Sequence, residues 1–193
     1  MTQLVLAMHN YNDEHGRLPP AVVYGEDGKP LYSWRVLILP NIEQRELFQK
    51  VNLDEAWDSP HNIELLSEMP TTYAPPPGKR ANVPAYHTVC KVFVGKGAAF
   101  EGRNGLRMPA DFPEGISNTV LVVEAGEPVP WTKPEDLPYD PDQPLPNLRG
   151  LFKDGFRVGM ADGSMRWLKW DMSEATLRAA ITRNGNEKLL PDW

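Results

Sequence analysis

The chain has 193 residues, a net charge of −6, 41% hydrophobic residues and 20 prolines. This composition is typical of a soluble, loop-rich globular protein, which we predict to be a single domain spanning residues 1–193. The acidic balance argues against nucleic-acid binding, the single cysteine (Cys90) excludes an intrachain disulfide, and no apolar run approaches the ~20 residues that span a bilayer.

The first predicted element is a helix at residues 2–11, ended by His15-Gly16 and the prolines that follow. Its apolar residues recur on one helical face at Leu4, Val5, Met8 and Tyr11. Because no capping residue precedes this helix, we expect that a segment upstream of it is missing.

Two further helical segments are predicted before the first strand. Residues 33–40 form a short apolar run that is compatible with a buried strand or a helix. Residues 42–51 show a helical stripe with Asn41 as the predicted N-cap. Residues 62–68 are predicted to add a short helical turn.

The middle of the chain favours strands. Residues 86–94 alternate until Val92, and residues 119–124 contain a run of β-forming residues that predicts a central strand buried on both faces. Residues 128–146 contain seven prolines without periodicity, so we expect a long ordered loop. We expect Trp131, Leu137 and Tyr139 to anchor this Pro-rich loop.

A hairpin is predicted at residues 156–170, with Asp162-Gly163 as a two-residue type I′ turn. In that register Met160 faces Met165 and Val158 faces Trp167, which makes an apolar face for the first or last helix.

A last helix follows the hairpin, and Asp171 and Glu174 are spaced like a capping box at its start. The order of all these elements predicts an α+β fold with an antiparallel sheet.

The sequence evidence for catalysis at Cys90 or Glu124 is weak. Cys90 could act as a nucleophile only if His61 or His87 lay beside it as a base. His87 and Cys90, however, point to opposite faces of the predicted strand. Glu124 is one carboxylate at a predicted strand end, where bonding to loop amides is the commoner use. A hydrolase hypothesis therefore requires a pocket that joins Glu124 or Cys90 to a base.

Four acidic residues crowd the Pro-rich loop: Glu135, Asp136, Asp140 and Asp142. Calcium prefers such oxygen ligands, so they are candidate Ca²⁺ ligands, although their spacing matches no EF-hand and a solvated acidic loop is the alternative. The glycines of residues 95–97 lack the spacing of a phosphate-binding loop, and no other cofactor is predicted. The six tryptophans leave open a sugar-stacking surface besides core packing.

Several blocks occur together in a recognisable order. They are LAMHNY (6–11), WRVLILP (34–40) with IEQ (42–44), GISNT (115–119) leading into LVVE (121–124), VPWTKPEDL (129–137) and ADGS (161–164). This combination, which includes Asn118, Trp131, Asp162 and Gly163, resembles the bacterial domain-of-unknown-function family 1559.

The resemblance implies a pilin-like fold, in which an N-terminal helix packs on an antiparallel sheet, and it implies that residues 1–14 are the distal part of that helix. Members of that family typically begin with a prepilin-type leader and a long apolar helix, and they resemble pilins and pseudopilins. The family's C-terminal His, ten residues before the Asp of the turn, corresponds to Phe152 here, so no role of that His carries over. No catalytic residue is implied.

The resemblance also implies where a full-length form acts. It would be anchored in the membrane through the missing part of its N-terminal helix, would lie outside the cytoplasm, and would have other pilin-like subunits or envelope proteins as partners, while the chain as given is soluble. We therefore expect a non-enzymatic structural or interaction module of an extracytoplasmic assembly. The alternative is a glycan- or peptide-binding module that uses the Pro-rich loop and exposed tryptophans.

Overall fold

The computed structural model describes residues 1–185 and residue 193. The helices are α1 (Thr2–His15), α2 (Trp34–Leu37), α3 (Arg45–Lys50) and α4 (Glu174–Ile181). The strands are β1 (Val22–Tyr24), β2 (Pro30–Ser33), β3 (His87–Lys91), β4 (Phe93–Gly95), β5 (Val120–Pro130), β6 (Leu137–Tyr139), β7 (Gly155–Met160) and β8 (Met165–Lys169). The predicted α+β fold, with an N-terminal helix, antiparallel sheets and a C-terminal helix, is confirmed.

The main sheet has four antiparallel strands in the order β3-β5-β7-β8, so β3 and β8 are its edges. The predicted central strand is confirmed: β5 lies inside the sheet and is buried on both faces from Val120 to Gly126. One hydrophobic core, which includes α1 and α2, contains Val122 of β5. The other contains Val123 of β5 together with Ala180 and Ile181 of α4.

Helix α1 follows the predicted pattern. Leu4, Val5 and Met8 are fully buried, and Gly16 ends the helix in the left-handed conformation at φ 71°. The helix sits close to the sheet, because a Cβ on Gly159 of β7 would lie 2.6 Å from Cγ2 of Val5. Among the helices of the described residues, none is long and apolar enough to cross a membrane.

Three helix boundaries in the structure differ from the predicted ones. The ambiguous run at 33–40 forms α2 and part of a 3₁₀ turn, Leu39–Ile42. The helix predicted from Ile42 instead begins at Arg45, because Glu43 ends the 3₁₀ turn with a positive φ of 63°. The predicted cap at Asp171 is wrong: α4 is capped by Ser173, whose Oγ accepts from Thr176 N at 3.2 Å. The helical turn predicted at 62–68 is present as a 3₁₀ helix.

The Pro-rich loop, residues 128–146, contains more regular structure than predicted. Strand β5 continues to Pro130, and β6 pairs in parallel with β4. Pro138 fits this strand because it lies in a two-stranded sheet and is itself exposed. The predicted anchors are confirmed, since Trp131, Leu137 and Tyr139 are all buried.

The predicted register of the hairpin is wrong by one residue. The structure pairs Gly159 with Met165 and Arg157 with Trp167. Gly163 N–H donates to Met160 O, Met160 N–H donates to Ser164 O, and only Gly163 has a positive φ, 89°. This is a three-residue loop with a left-handed glycine instead of a type I′ turn.

A one-residue slip turns every side chain of a strand to the other face. Met165 and Trp167 are consequently 37% and 45% exposed, whereas Val158 and Met160 remain in the core on the α4 side. The hairpin therefore presents a tryptophan to solvent instead of burying it.

The loop geometry makes a direct prediction about Gly163. Replacing Gly163 with alanine is expected to lower the free energy of unfolding by about 1 kcal/mol, because a Cβ is unfavourable in the left-handed region. Space is not the cause, since no atom lies within 4 Å of a Cβ built there. Urea unfolding of Gly163→Ala and Gly163→Asn checks this, with the asparagine variant expected to lose less. Equal losses for both would contradict the explanation.

Candidate functional site

The most deeply buried charged side chains of the described residues form an ion pair between α2 and the Pro-rich loop. Arg35 is fully buried, and its Nη2 lies 2.7 Å from Oδ1 of Asp136, whose side chain is 1% exposed. Oδ1 also accepts from Val92 N at 2.9 Å and from Trp34 Nε1 at 3.3 Å. Burial raises the pKa of Asp136, and the Arg35 guanidinium opposes that shift.

The remaining donors of Arg35 are also engaged. Nε donates to Cys90 O at 2.8 Å and Nη1 donates to Ser33 Oγ at 2.6 Å. Tyr73 Oη donates to the Arg35 main-chain oxygen, and its ring stacks on Trp131 at 5.7 Å. A charged side chain that is shielded from water must be compensated by an opposite charge and by hydrogen bonds. Through these partners Arg35 joins α2, β3 and the Pro-rich loop into one structural centre.

The four acidic candidates of the Pro-rich loop do not converge. Asp136 points into the core, Glu135 pairs with Lys133 at the surface, and Asp140 Oδ1 accepts from Asp142 N at 2.8 Å. Within residues 1–185 and 193, no three His, Cys, Asp or Glu side chains lie close enough together to hold a metal ion. The calcium hypothesis thus gains no geometric support from the described residues.

Cys90 is a buried thiol on β3. It is 2% exposed, and burial, followed by the nearby charge of Glu124, raises its pKa to about 11. The two candidate bases bind elsewhere, His87 to Ala85 O at 2.8 Å and His61 to Lys50 O at 2.7 Å. A thiol in this state is a poor nucleophile.

This environment predicts slow chemistry at Cys90. With a pKa of about 11, only about one thiol in a thousand is ionised at pH 8, so the folded protein is expected to react with Ellman's reagent far more slowly than a free thiol. The same protein in guanidinium chloride serves as the control and is expected to react at once. Rapid stoichiometric labelling of the folded protein would contradict the burial and the raised pKa.

Glu124 lies inside β5 and not at a strand end as predicted. Its Oε2 lies 2.6 Å from Nε of Arg157 on the neighbouring strand, and the residue is 5% exposed. Burial raises the pKa of Glu124, while the charge and hydrogen bond of Arg157 lower it. The predicted bonds to loop amides are replaced by a cross-strand ion pair.

One aromatic surface is exposed on β8. We call Met165, Trp167 and Lys169 the β8 surface, because these alternate residues are all exposed on one side of the strand. The Trp167 ring lies over Gly155, where a Cβ would be 2.8 Å from its Nε1, and it meets the Phe152 ring at 5.2 Å in a T-shaped contact. These contacts hold an exposed tryptophan in a defined orientation.

The other residues of the family motifs have structural contacts. Asn118 is exposed, and its Nδ2 donates to Glu114 O at 3.0 Å. Trp131 Nε1 donates to Leu66 O at 3.2 Å, and Asp162 Oδ1 accepts from Ser164 N at 2.8 Å within the turn. Phe152, at the position of the family's His, carries the Arg157 guanidinium 5.3 Å from its ring.

Sequence reasoning missed both Arg35 and the β8 surface. An arginine within the apolar run 34–40 was a usable signal, since a buried cation requires a carboxylate partner. The exposure of Trp167 depended on the register of the hairpin, which the Asp-Gly pair alone does not determine.

Comparison with protein families gives one match. The model of the family described as "Protein of unknown function (DUF1559)" matches residues 1–104, which is more than half of the chain. Neither the curated proteins nor the solved structures contain a significant match. The matched part includes α1, the segment with Arg35, and β3. The chain therefore belongs to the DUF1559 family.

Proposed function

We propose that this protein is a non-enzymatic, pilin-like structural or interaction module of an assembly outside the cytoplasm. The observation that carries the proposal is α1, whose buried face packs on β5 and β7 of an antiparallel sheet. Such a helix-on-sheet arrangement is what the resemblance of the family to pilins and pseudopilins implies. The proposal is made by analogy between folds.

The reactive side chains support a structural interpretation. Asp136 and Glu124 each bind an arginine, and the Cys90 thiol is buried with a raised pKa. The two carboxylates thus connect neighbouring elements, and the thiol is packed in the core. This is the behaviour of a scaffold, in which buried polar groups join segments that are distant in sequence.

Cell fractionation of the source organism tests the proposal. We expect the natural gene product in the envelope fraction, accessible to protease on intact cells, with a cytosolic protein as the lysis control. Intact protein found only in the cytosol would overturn the proposed location and, with it, the assembly role.

A glycan- or peptide-binding module is the second candidate, and the exposed Trp167 favours it. The Pro-rich loop contributes less than expected, because its Trp131 is fully buried. A glycan array with the wild-type protein and Trp167→Ala tests this candidate. Binding that disappears in the variant would support it, and an array without signal would reject the glycan form of it.

A further inference from the structure

The β8 surface has the character of a protein-binding anchor. Trp167 is 45% exposed, yet its ring is fixed against Gly155 and Phe152. Rigid exposed tryptophans are typical of interface hot spots, since little conformational entropy is lost when they bind. Met165, 37% exposed, extends the apolar part of this surface along the strand.

Basic side chains lie close to this anchor. The Nζ of Lys79 and the guanidinium of Arg157 lie 5.8 and 5.3 Å from the centre of the Phe152 ring, which contacts Trp167, whereas Arg149 and Arg166 lie over other rings. Lys153 and Lys169 are exposed, and the Arg157 side chain, which pairs with Glu124, is 39% exposed. The surface therefore favours an acidic partner with an apolar depression.

The same molecule carries such a depression. A groove of about 740 Å³ lies beside the β1–β2 hairpin, and we call it the acidic groove. Its apolar lining includes Tyr24 and Leu53, which are 37% and 36% exposed, and Glu26, Asp27 and Asp54 supply its charge.

Two cations are close to the acidic groove without neutralising it. Lys29 pairs with Asp27 at 2.9 Å, and the guanidinium of Arg103 lies 4.3 Å from the centre of the Tyr24 ring. Glu26 and Asp54 have no ion-pair partner within the part of the chain that the structure describes. These two carboxylates are available to cations of a partner.

The β8 surface and the acidic groove lie at different margins of the fold. Trp167 is on edge strand β8. The β1–β2 hairpin is bonded through Ser33 N to Thr132 O, just beyond the end of β5 that pairs with β3, the opposite edge strand. The two surfaces belong to separate parts of one copy, so a contact between them would join two copies.

We propose that the β8 surface of one copy docks into the acidic groove of a second copy, with Trp167 as the anchor. The contact is heterologous: each copy uses one surface and leaves the other available, so copies add head to tail. This inference rests on the proposed function, an assembly role, and names the partner of that role as another copy of this chain.

Sedimentation velocity of the purified protein tests the proposal. The mass of the wild-type protein is expected to rise with concentration over roughly a hundredfold range and to fall when salt screens the charges. Trp167→Ala, Lys169→Glu and Asp54→Lys are each expected to weaken association by at least about tenfold. Lys169→Glu separates binding from folding, because Lys169 is exposed and no packing is lost.

Matched controls lie outside both surfaces. Lys96→Glu makes the same charge change at another exposed lysine, and Ile63→Ala removes another exposed apolar side chain, 39% exposed. Both are expected to associate like the wild type. The decisive mixture combines Trp167→Ala with Asp54→Lys: each retains one intact surface, so the mixture is expected to form a one-to-one dimer that does not extend.

Two results would overturn the inference. One is a wild-type protein that stays monomeric at every concentration. If that monomer binds polygalacturonate through Trp167, the β8 surface binds an anionic glycan instead of a second copy. The other is association that Trp167→Ala leaves intact. A monomeric protein in the envelope fraction would contradict self-association but not the proposed function. A self-associating protein found only in the cytosol would contradict the proposed function but not self-association.

Discussion

Replacing Asp136 with alanine is expected to lower the free energy of unfolding by about 3–5 kcal/mol, because it leaves the Arg35 charge buried without its partner. Arg35 has no exposed surface and Nη2 is 2.7 Å from Asp136 Oδ1. The variant also deprives Val92 N and Trp34 Nε1 of their acceptor. Urea unfolding followed by tryptophan fluorescence measures the loss, since Trp34 is part of the centre.

The neighbouring residue supplies the control. Glu135 also forms an ion pair, with Lys133, but both side chains are more than a third exposed. Glu135→Ala is therefore expected to change stability by less than about 1 kcal/mol. Similar losses for Glu135→Ala and Asp136→Ala would show that burial is not what makes the Asp136 pair important.

A double variant separates the two contributions to this loss. Arg35→Met with Asp136→Leu removes both charges and retains most of the side-chain volume. It is expected to be more stable than Asp136→Ala alone, because no uncompensated charge remains. A double variant as unstable as the single one would mean that the hydrogen bonds of Arg35 to Cys90 O and Ser33 Oγ matter more than its charge.

The buried pair joins two sequence blocks that are distant in the chain. Arg35 belongs to the block at 34–40 and Asp136 to the block at 129–137, and they are 101 residues apart in the chain. The blocks were recognisable from their combination and their order along the chain. Their contact was not predictable from one sequence, because nothing local to either block specifies which distant residue it meets.

The elements with strong local signals were predicted well. Residues 120–124 of the predicted β-forming run lie in the central strand, and the apolar stripe of residues 2–11 lies on the buried face of α1. Predictions failed where one local sequence supports two geometries. Asp162-Gly163 fits a type I′ turn and also a three-residue loop with a left-handed glycine, and that choice decides whether Trp167 is buried.

The β8 surface therefore emerged only from the structure. The sequence had marked Trp167 as a core residue, and the correct register turns it, with Met165 and Lys169, to solvent. The acidic groove was equally hidden, because Tyr24 and Leu53 come from segments that meet only in the fold.

A second large loss of stability is expected at Gly105, in the loop that follows β4. Gly105 has a φ of +63°, and a Cβ built on it would lie 1.9 Å from the main-chain oxygen of Leu18. Main-chain atoms cannot rotate away, so Gly105→Ala forces the loop and the segment after α1 apart. Leu18 is fully buried, and Leu18 N donates to Leu106 O at 2.7 Å, so both the core and this hydrogen bond are disturbed.

We expect Gly105→Ala to lower the free energy of unfolding by more than about 3 kcal/mol, of which only about 1–2 kcal/mol comes from the left-handed backbone. Gly102→Ala is the matched control, because Gly102 has a similar φ of +74° and open space around its Cβ position. It shares the backbone penalty but not the collision. Urea unfolding of both variants therefore isolates the close approach of the loop to Leu18, and equal losses would show that this approach does not contribute to stability.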